Sequence, residues 1–195
     1  MTSAASKPPQ LSQENLRELQ TARNSLRKVR RAVTTAKFEG YSVAICGVLT
    51  SLMGYGSFGQ ILGGIVLTVI GVIEIYGASR LGQLDAKAGR ILTVNQLTLA
   101  ALILLYALWN IFGEVMHPAD AADLQGLSTS DSQVMGDVTG IAHEVTMIMY
   151  AGMIAAAVVE AGMARYYHSR GVYLVRYLAE TPAWIISMQK SGVSI

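Results

Sequence analysis

Residues 91–112, ILTVNQLTLAALILLYALWNIF, run for 22 positions without a charged side chain. A helix needs about 20 mostly apolar residues to cross the hydrocarbon core of a bilayer. Three further windows have this character. The first, 41–58 (YSVAICGVLTSLMGYGSF), is also uncharged; the second, 60–79 (QILGGIVLTVIGVIEIYGAS), is charged only at Glu74; the last, 141–163, carries His143, Glu144 and Glu160. A soluble helical bundle would need a polar stripe along each helix, and the first three runs have none. The expected fold is an all-α membrane protein with four transmembrane helices at about 41–58, 60–79, 91–112 and 141–163. Only 14% of the residues are charged, against about a quarter in soluble domains, which agrees.

The fifteen lysines and arginines give this fold a direction. Eight precede the first run, three (Arg80, Lys87, Arg90) lie between the second and third, and four (Arg165, Arg170, Arg176, Lys190) follow the last. The 113–140 loop instead holds Glu114, Asp120, Asp123, Asp131 and Asp137 with no basic residue. Because loops rich in Lys and Arg stay on the cytoplasmic side, both termini are expected there, in a multi-pass protein of a bacterial-type inner membrane. The chain divides accordingly into a cytoplasmic amphipathic helix (1–40), a four-helix membrane domain (41–164) and a cytoplasmic interfacial tail (165–195). The start lacks a basic segment followed by an apolar core, so no cleaved secretory signal is expected. The single Cys46 has no disulfide partner in the chain and reads as a small buried apolar residue.

Small residues let membrane helices approach closely, and here they are periodic. Gly40, Gly47 and Gly54 recur every seven residues in the first run, as do Gly64, Gly71 and Ala78 in the second. A hairpin turning at Gly59 would set 54 level with 64, 47 with 71 and 40 with 78, packing the two stripes together with a left-handed crossing. Gly59 and Gly63 also form a GxxxG pair, a weak signal among nineteen glycines.

The acids in the second and fourth runs lie near the cytoplasmic boundary. Glu74 is about 9 Å above Arg80, Glu160 is about 7 to 8 Å above Arg165, and Asn95 and Gln96 stand at a similar remove from Arg90. Glu74, Asn95, Gln96 and Glu160 thus form one polar layer, with Glu39 slightly closer to the cytoplasm. Intramembrane carboxyls normally face protein or water. The layer is either a proton or small-cation site or a structural fastening, in which each glutamate reaches the arginine at its own helix end or bonds a neighbouring helix. So near the boundary, the structural reading comes first. The segments around the two acids, GVIEIYGASR and AVVEAGMAR, resemble each other, as in a degenerate repeat of two hairpins, although the first and third runs do not match.

On the outer side, Glu114 and His117 have the Glu-x-x-His spacing of bundle metal sites. A complete site needs a second such pair, and adjacent His143 and Glu144 point apart on a helix. The loop acids are too scattered for a calcium loop. No metal and no cofactor is expected.

At the N-terminal end, Ser12 is placed to cap a helix with Glu14 in its first turn. Leu19, Ala22, Leu26, Val29, Val33 and Ala36 then follow a heptad, with Arg23, Arg27, Lys28, Arg30 and Arg31 between them. Such a helix lies on the anionic inner leaflet or pairs with its copies. After the fourth run Gly171 is expected to break the helix, and Thr181 with Pro182 to start a short one carrying Trp184, Ile185 and Met188 at the interface. The basic residues and Trp184 are read as contacts to lipid headgroups or a partner. Nucleic acid is not an expected partner, since membrane topology already accounts for the charge.

No phosphate-cradling loop, nucleophile elbow or zinc-ligand spacing occurs, so the chain is not expected to be an enzyme. The residues point first to a structural or accessory subunit of a homo-oligomer or larger membrane complex. The alternative is a proton or small-cation channel or transporter using Glu74 and Glu160.

Overall fold

The computed structural model describes residues 12–54, 57–116 and 132–191, with side chains except at 113–116 and 132–143. Five helices and no strand make up the described residues: α1 (Gln13–Met53), α2 (Phe58–Gly82), α3 (Ala88–Met116), α4 (Ser132–Glu180) and α5 (Ala183–Lys190). α1 lies antiparallel against α2 and α3 against α4, and these two pairs meet mainly where α2 touches α3.

Among the described residues three helices, not the expected four, are long and apolar enough to cross a membrane: Phe58–Gly82, Ala88–Phe112 and Glu144–Glu180. α1 falls short because Lys37 and Glu39 bound its uncharged part, which runs only over 40–53. Those 14 residues rise about 21 Å, less than the ~30 Å of a hydrocarbon core. That part of α1 nevertheless packs along α2, a candidate span, down its whole length.

The glycine stripes do mesh, but one heptad away from the expected register. Gly40 opposes Gly71 and Ile75 rather than Ala78, Gly47 opposes Gly64 and Thr68 rather than Gly71, and Gly54 opposes Gln60. A stripe repeating every seven residues can slip by seven without losing its fit. The connection decides between the two. It occupies 54–57, with Gly54 ending the first helix and Ser57 preceding the second, so the hairpin turns before Gly59. Ala78 instead joins Ala32 and Ala36 in a buried cluster nearer the chain's N-terminus.

α1 and α4 are far longer than a bilayer is thick. Their 41 and 49 residues extend about 60 and 70 Å. Ser12 caps α1 as expected, its hydroxyl accepting the Asn15 amide at 3.2 Å. The expected surface helix is no separate element, because its apolar stripe is in phase with the glycines and continues them as one seam: Ala22, Leu26, Val29, Ala32 and Ala36 are buried, then Gly40 and Gly47. Nor does Gly171 break α4. The helix passes through it, and the missing side chain lets its backbone touch that of Gly89. The extension beyond Arg165 buries Tyr167, Leu174 and Tyr177 against the α1 stripe, and α5 adds Ile185. The heptad expected to face lipid or a second copy is therefore covered by the chain itself.

α5 begins one residue later than expected, with Pro182 before its first turn. Gln189 donates to the Tyr177 hydroxyl at 2.9 Å and closes α5 onto α4. Between α2 and α3, Leu84 takes a left-handed φ of 60°. Such a residue costs about 1 to 2 kcal/mol, offset here by burying its side chain in the same core. Asp85 accepts the Lys87 amide at 2.9 Å and the Arg80 guanidinium at 2.8 Å; these two donors hold its carboxyl below the usual carboxylate range. Cys46, expected to be buried, faces outward.

Candidate functional site: a buried acidic layer

Three of the four residues assigned to the polar layer are buried: Glu74 and Gln96 are 0% exposed and Asn95 5%. Glu160 is half-buried. Heptad packing of α2 on α1 leaves Glu74 facing α3, where Gln96 Nε2 donates to its Oε1 at 2.6 Å. One residue earlier, Asn95 Nδ2 donates to the Ile70 carbonyl at 3.2 Å. Gly77 allows this approach, since a Cβ there would come within 2.8 Å of Leu92.

Two further residues complete the layer. Glu39 of α1 lies beside both Glu74 and Glu160, a like charge next to each carboxyl group. The Tyr167 hydroxyl of α4 donates to Glu39 Oε2 at 2.8 Å. The arrangement is a chain with Glu39 in the middle, and all four long helices contribute to it. The corrected glycine register explains why: with Gly40 opposite Gly71 and Ile75, the preceding Glu39 comes level with Glu74. A turn placed at 54–57 would have revealed this from the sequence. For Tyr167 the signal was a heptad, since Tyr150, Ala157, Ala164 and Gly171 are buried at seven-residue steps, and Tyr167 and Leu174 each follow one of them by three residues.

Neither glutamate reaches the arginine at its own helix end. Among the described residues the two ion pairs are Arg80 with Asp85 and Arg176 with Glu180. Glu74 instead bonds a neighbouring helix through Gln96. Two unit charges 4 Å apart repel by about 4 kcal/mol at an effective dielectric of 20, whereas a hydrogen bond to a charged group returns about 1.5–3 kcal/mol. Three ionised carboxylates with only Gln96 and Tyr167 as donors do not balance.

Three side-chain hydrogen bonds between the two hairpins fall in this layer. Glu74 with Gln96, Asn95 with Ile70 and Tyr167 with Glu39 cross from α1 or α2 to α3 or α4, while Ser51 to Ile61 and Thr93 to Ala164 stay within a hairpin. Closer to the N-terminus Lys28 lies over the Tyr173 ring at 5.4 Å. Arg23, Arg27, Arg30 and Arg31 are exposed on the uncovered side of α1, and Trp184 on α5 is 38% exposed.

The outer residues weighed as metal ligands fall mostly outside the description. His117, Asp120, Asp123 and Asp131 lie outside the described residues, as do the side chains of Glu114, Asp137 and His143; Glu144 is exposed. Among the described residues no three His, Cys, Asp or Glu converge closely enough to hold a metal ion. No family model, curated protein or solved structure matches this chain.

Proposed function

We propose that this is an integral protein of a cytoplasmic membrane, crossing it four times with both termini and the 83–87 connection on the cytoplasmic side. In this reading the acidic layer takes up protons or a small cation from that side, and the protein is a proton or small-cation channel or transporter. The carrying observation is that buried Glu74 and half-buried Glu39 and Glu160, from three helices, share one site and have no lysine or arginine partner among the described residues. Intramembrane acids arranged in this way mark proton and ion pathways. α1 is counted as the fourth crossing because its apolar part lies beside α2, and the residues before it hold eight of the fifteen basic side chains, the placement of a cytoplasmic segment.

A second reading, a subunit of a homo-oligomer or larger membrane complex, is favoured by glycines the fold leaves uncovered. A Cβ at Gly59, Gly63, Gly152 or Gly162 would have nothing within 4 Å, and small residues on an open face suit contact with another membrane helix. On either reading, Arg23, Arg27, Lys28, Arg30, Arg31 and Trp184 meet anionic lipid headgroups or a partner subunit.

Transport is tested with purified protein in liposomes holding a pH-sensitive dye, under an imposed potential. The wild type is expected to carry protons and Glu74→Gln to lose the flux while keeping its detergent elution volume. Equal flux from both would remove the acidic layer from any transport role.

A further inference from the structure

Which positive charge the acidic layer takes can be worked out from its atoms. Glu74 Oε2 and Glu160 Oε2 are buried oxygens with no hydrogen-bond partner. Both carboxyls contact Glu39, whose own Oε2 already accepts from Tyr167. Carboxyl oxygens in contact with one another need a hydrogen between them, because two ionised carboxylates are acceptors only. A metal ion would require the three groups to converge on one point, and they do not.

Resting on the reading of this layer as an ion site, we infer that its ligand is the proton, and that it holds two: one on Glu74 and one on Glu160, each donated to Glu39. The cluster then carries a single negative charge, centred on Glu39, which accepts from Glu74, Glu160 and Tyr167. Glu74 keeps an unprotonated oxygen, Oε1, to receive the Gln96 amide at 2.6 Å. Among the described residues α1 supplies Glu39, α2 supplies Glu74, α4 supplies Glu160 and Tyr167 with Tyr166 beside it, and α3 presents the neutral amides of Asn95 and Gln96.

The proton pair has a consequence for the fold. The Glu74–Glu39 bond lies inside the α1–α2 hairpin, but the Glu160–Glu39 bond joins that hairpin to α4. Removing the Glu160 proton replaces a bond across the hairpin boundary by repulsion between like charges. Loss of protons to the cytoplasm therefore loosens the two hairpins at a level where side-chain hydrogen bonds connect them. A transport cycle could use that movement.

Infrared difference spectroscopy on the full chain in lipid nanodiscs tests the assignment through the carbonyl stretch of protonated carboxyl groups. Two such bands are expected at neutral pH, one lost in Glu74→Gln and the other in Glu160→Gln, with both shifted in Glu39→Gln. Addition of sodium or calcium chloride at fixed pH should leave the wild-type bands unchanged. Absence of protonated bands that respond to these substitutions would overturn the inference, as would their saturable loss on adding either cation. Bands without flux in liposomes would support the proton pair and reject transport; flux without bands would do the opposite.

Discussion

Gly64→Leu is expected to drive the α1–α2 hairpin apart. A Cβ at this position would lie against Ser51 Oγ and within 2.5 Å of both the Gly47 carbonyl oxygen and the Ser51 amide nitrogen. Two of these obstacles are backbone atoms of a facing helix, which no rotamer change removes. Overpacking a close-packed interior typically costs about 1–3 kcal/mol and sometimes more, and a leucine facing backbone belongs at or above the top of that range. Membrane helices have little hydrophobic drive to hold them together once van der Waals contact is lost, so separation has no compensation. The control is one residue away. Gly63 has open space at its Cβ position, and Gly63→Leu should leave the unfolding free energy in detergent within about 0.5 kcal/mol of the wild type, as for substitutions away from special features. A change in particle mass for Gly63→Leu alone would mark that face as a contact between subunits.

The second large effect is expected at Tyr167, a fully buried side chain that joins the acidic layer to the core formed by α1, α4 and α5. Tyr167→Ala removes a ring packed edge-on against Tyr166, with centroids 5.4 Å apart, and also the hydrogen bond to Glu39. Truncating a buried aromatic ring costs about 3–5 kcal/mol. Tyr167→Phe keeps the ring and removes the donor alone, which leaves Glu39 short of one bond at about 1–3 kcal/mol. Denaturant titration of both variants separates the two contributions. If Tyr167→Phe matched the wild type, the hydroxyl would have no part in holding Glu39.

How far these features were legible in the sequence differs from one to the next. The clustering of Arg80, Lys87 and Arg90 between two apolar runs marked the short connection, and the seven-residue glycine spacing marked the seam between α1 and α2. The same regularity hid the register. A repeat that fits equally well one heptad along cannot choose its partner, and Gly59 drew the turn away from 54–57. That slip concealed Glu39, which the correct register sets level with Glu74. Tyr167 was hidden differently: tyrosines mixed with arginines after 165 have the composition of a membrane interface, although the heptad of buried positions from Tyr150 to Leu174 crosses that boundary without interruption. The count of helices long and apolar enough to cross differed at α1, where Lys37 and Glu39 leave its apolar part short.

Glu39 mediates between buried Glu74 and half-buried Glu160, acids on different helices. Double-mutant cycles on unfolding free energy, combining Glu39→Gln with Glu74→Gln and with Glu160→Gln, test it most directly. Residues in contact show coupling of about 0.5–3 kcal/mol, whereas independent sites add within about 0.5 kcal/mol. The structure predicts coupling above about 1 kcal/mol for Glu39 with each of the other two glutamates. Additive effects in both cycles would contradict the account and leave three unrelated acids where one site is described.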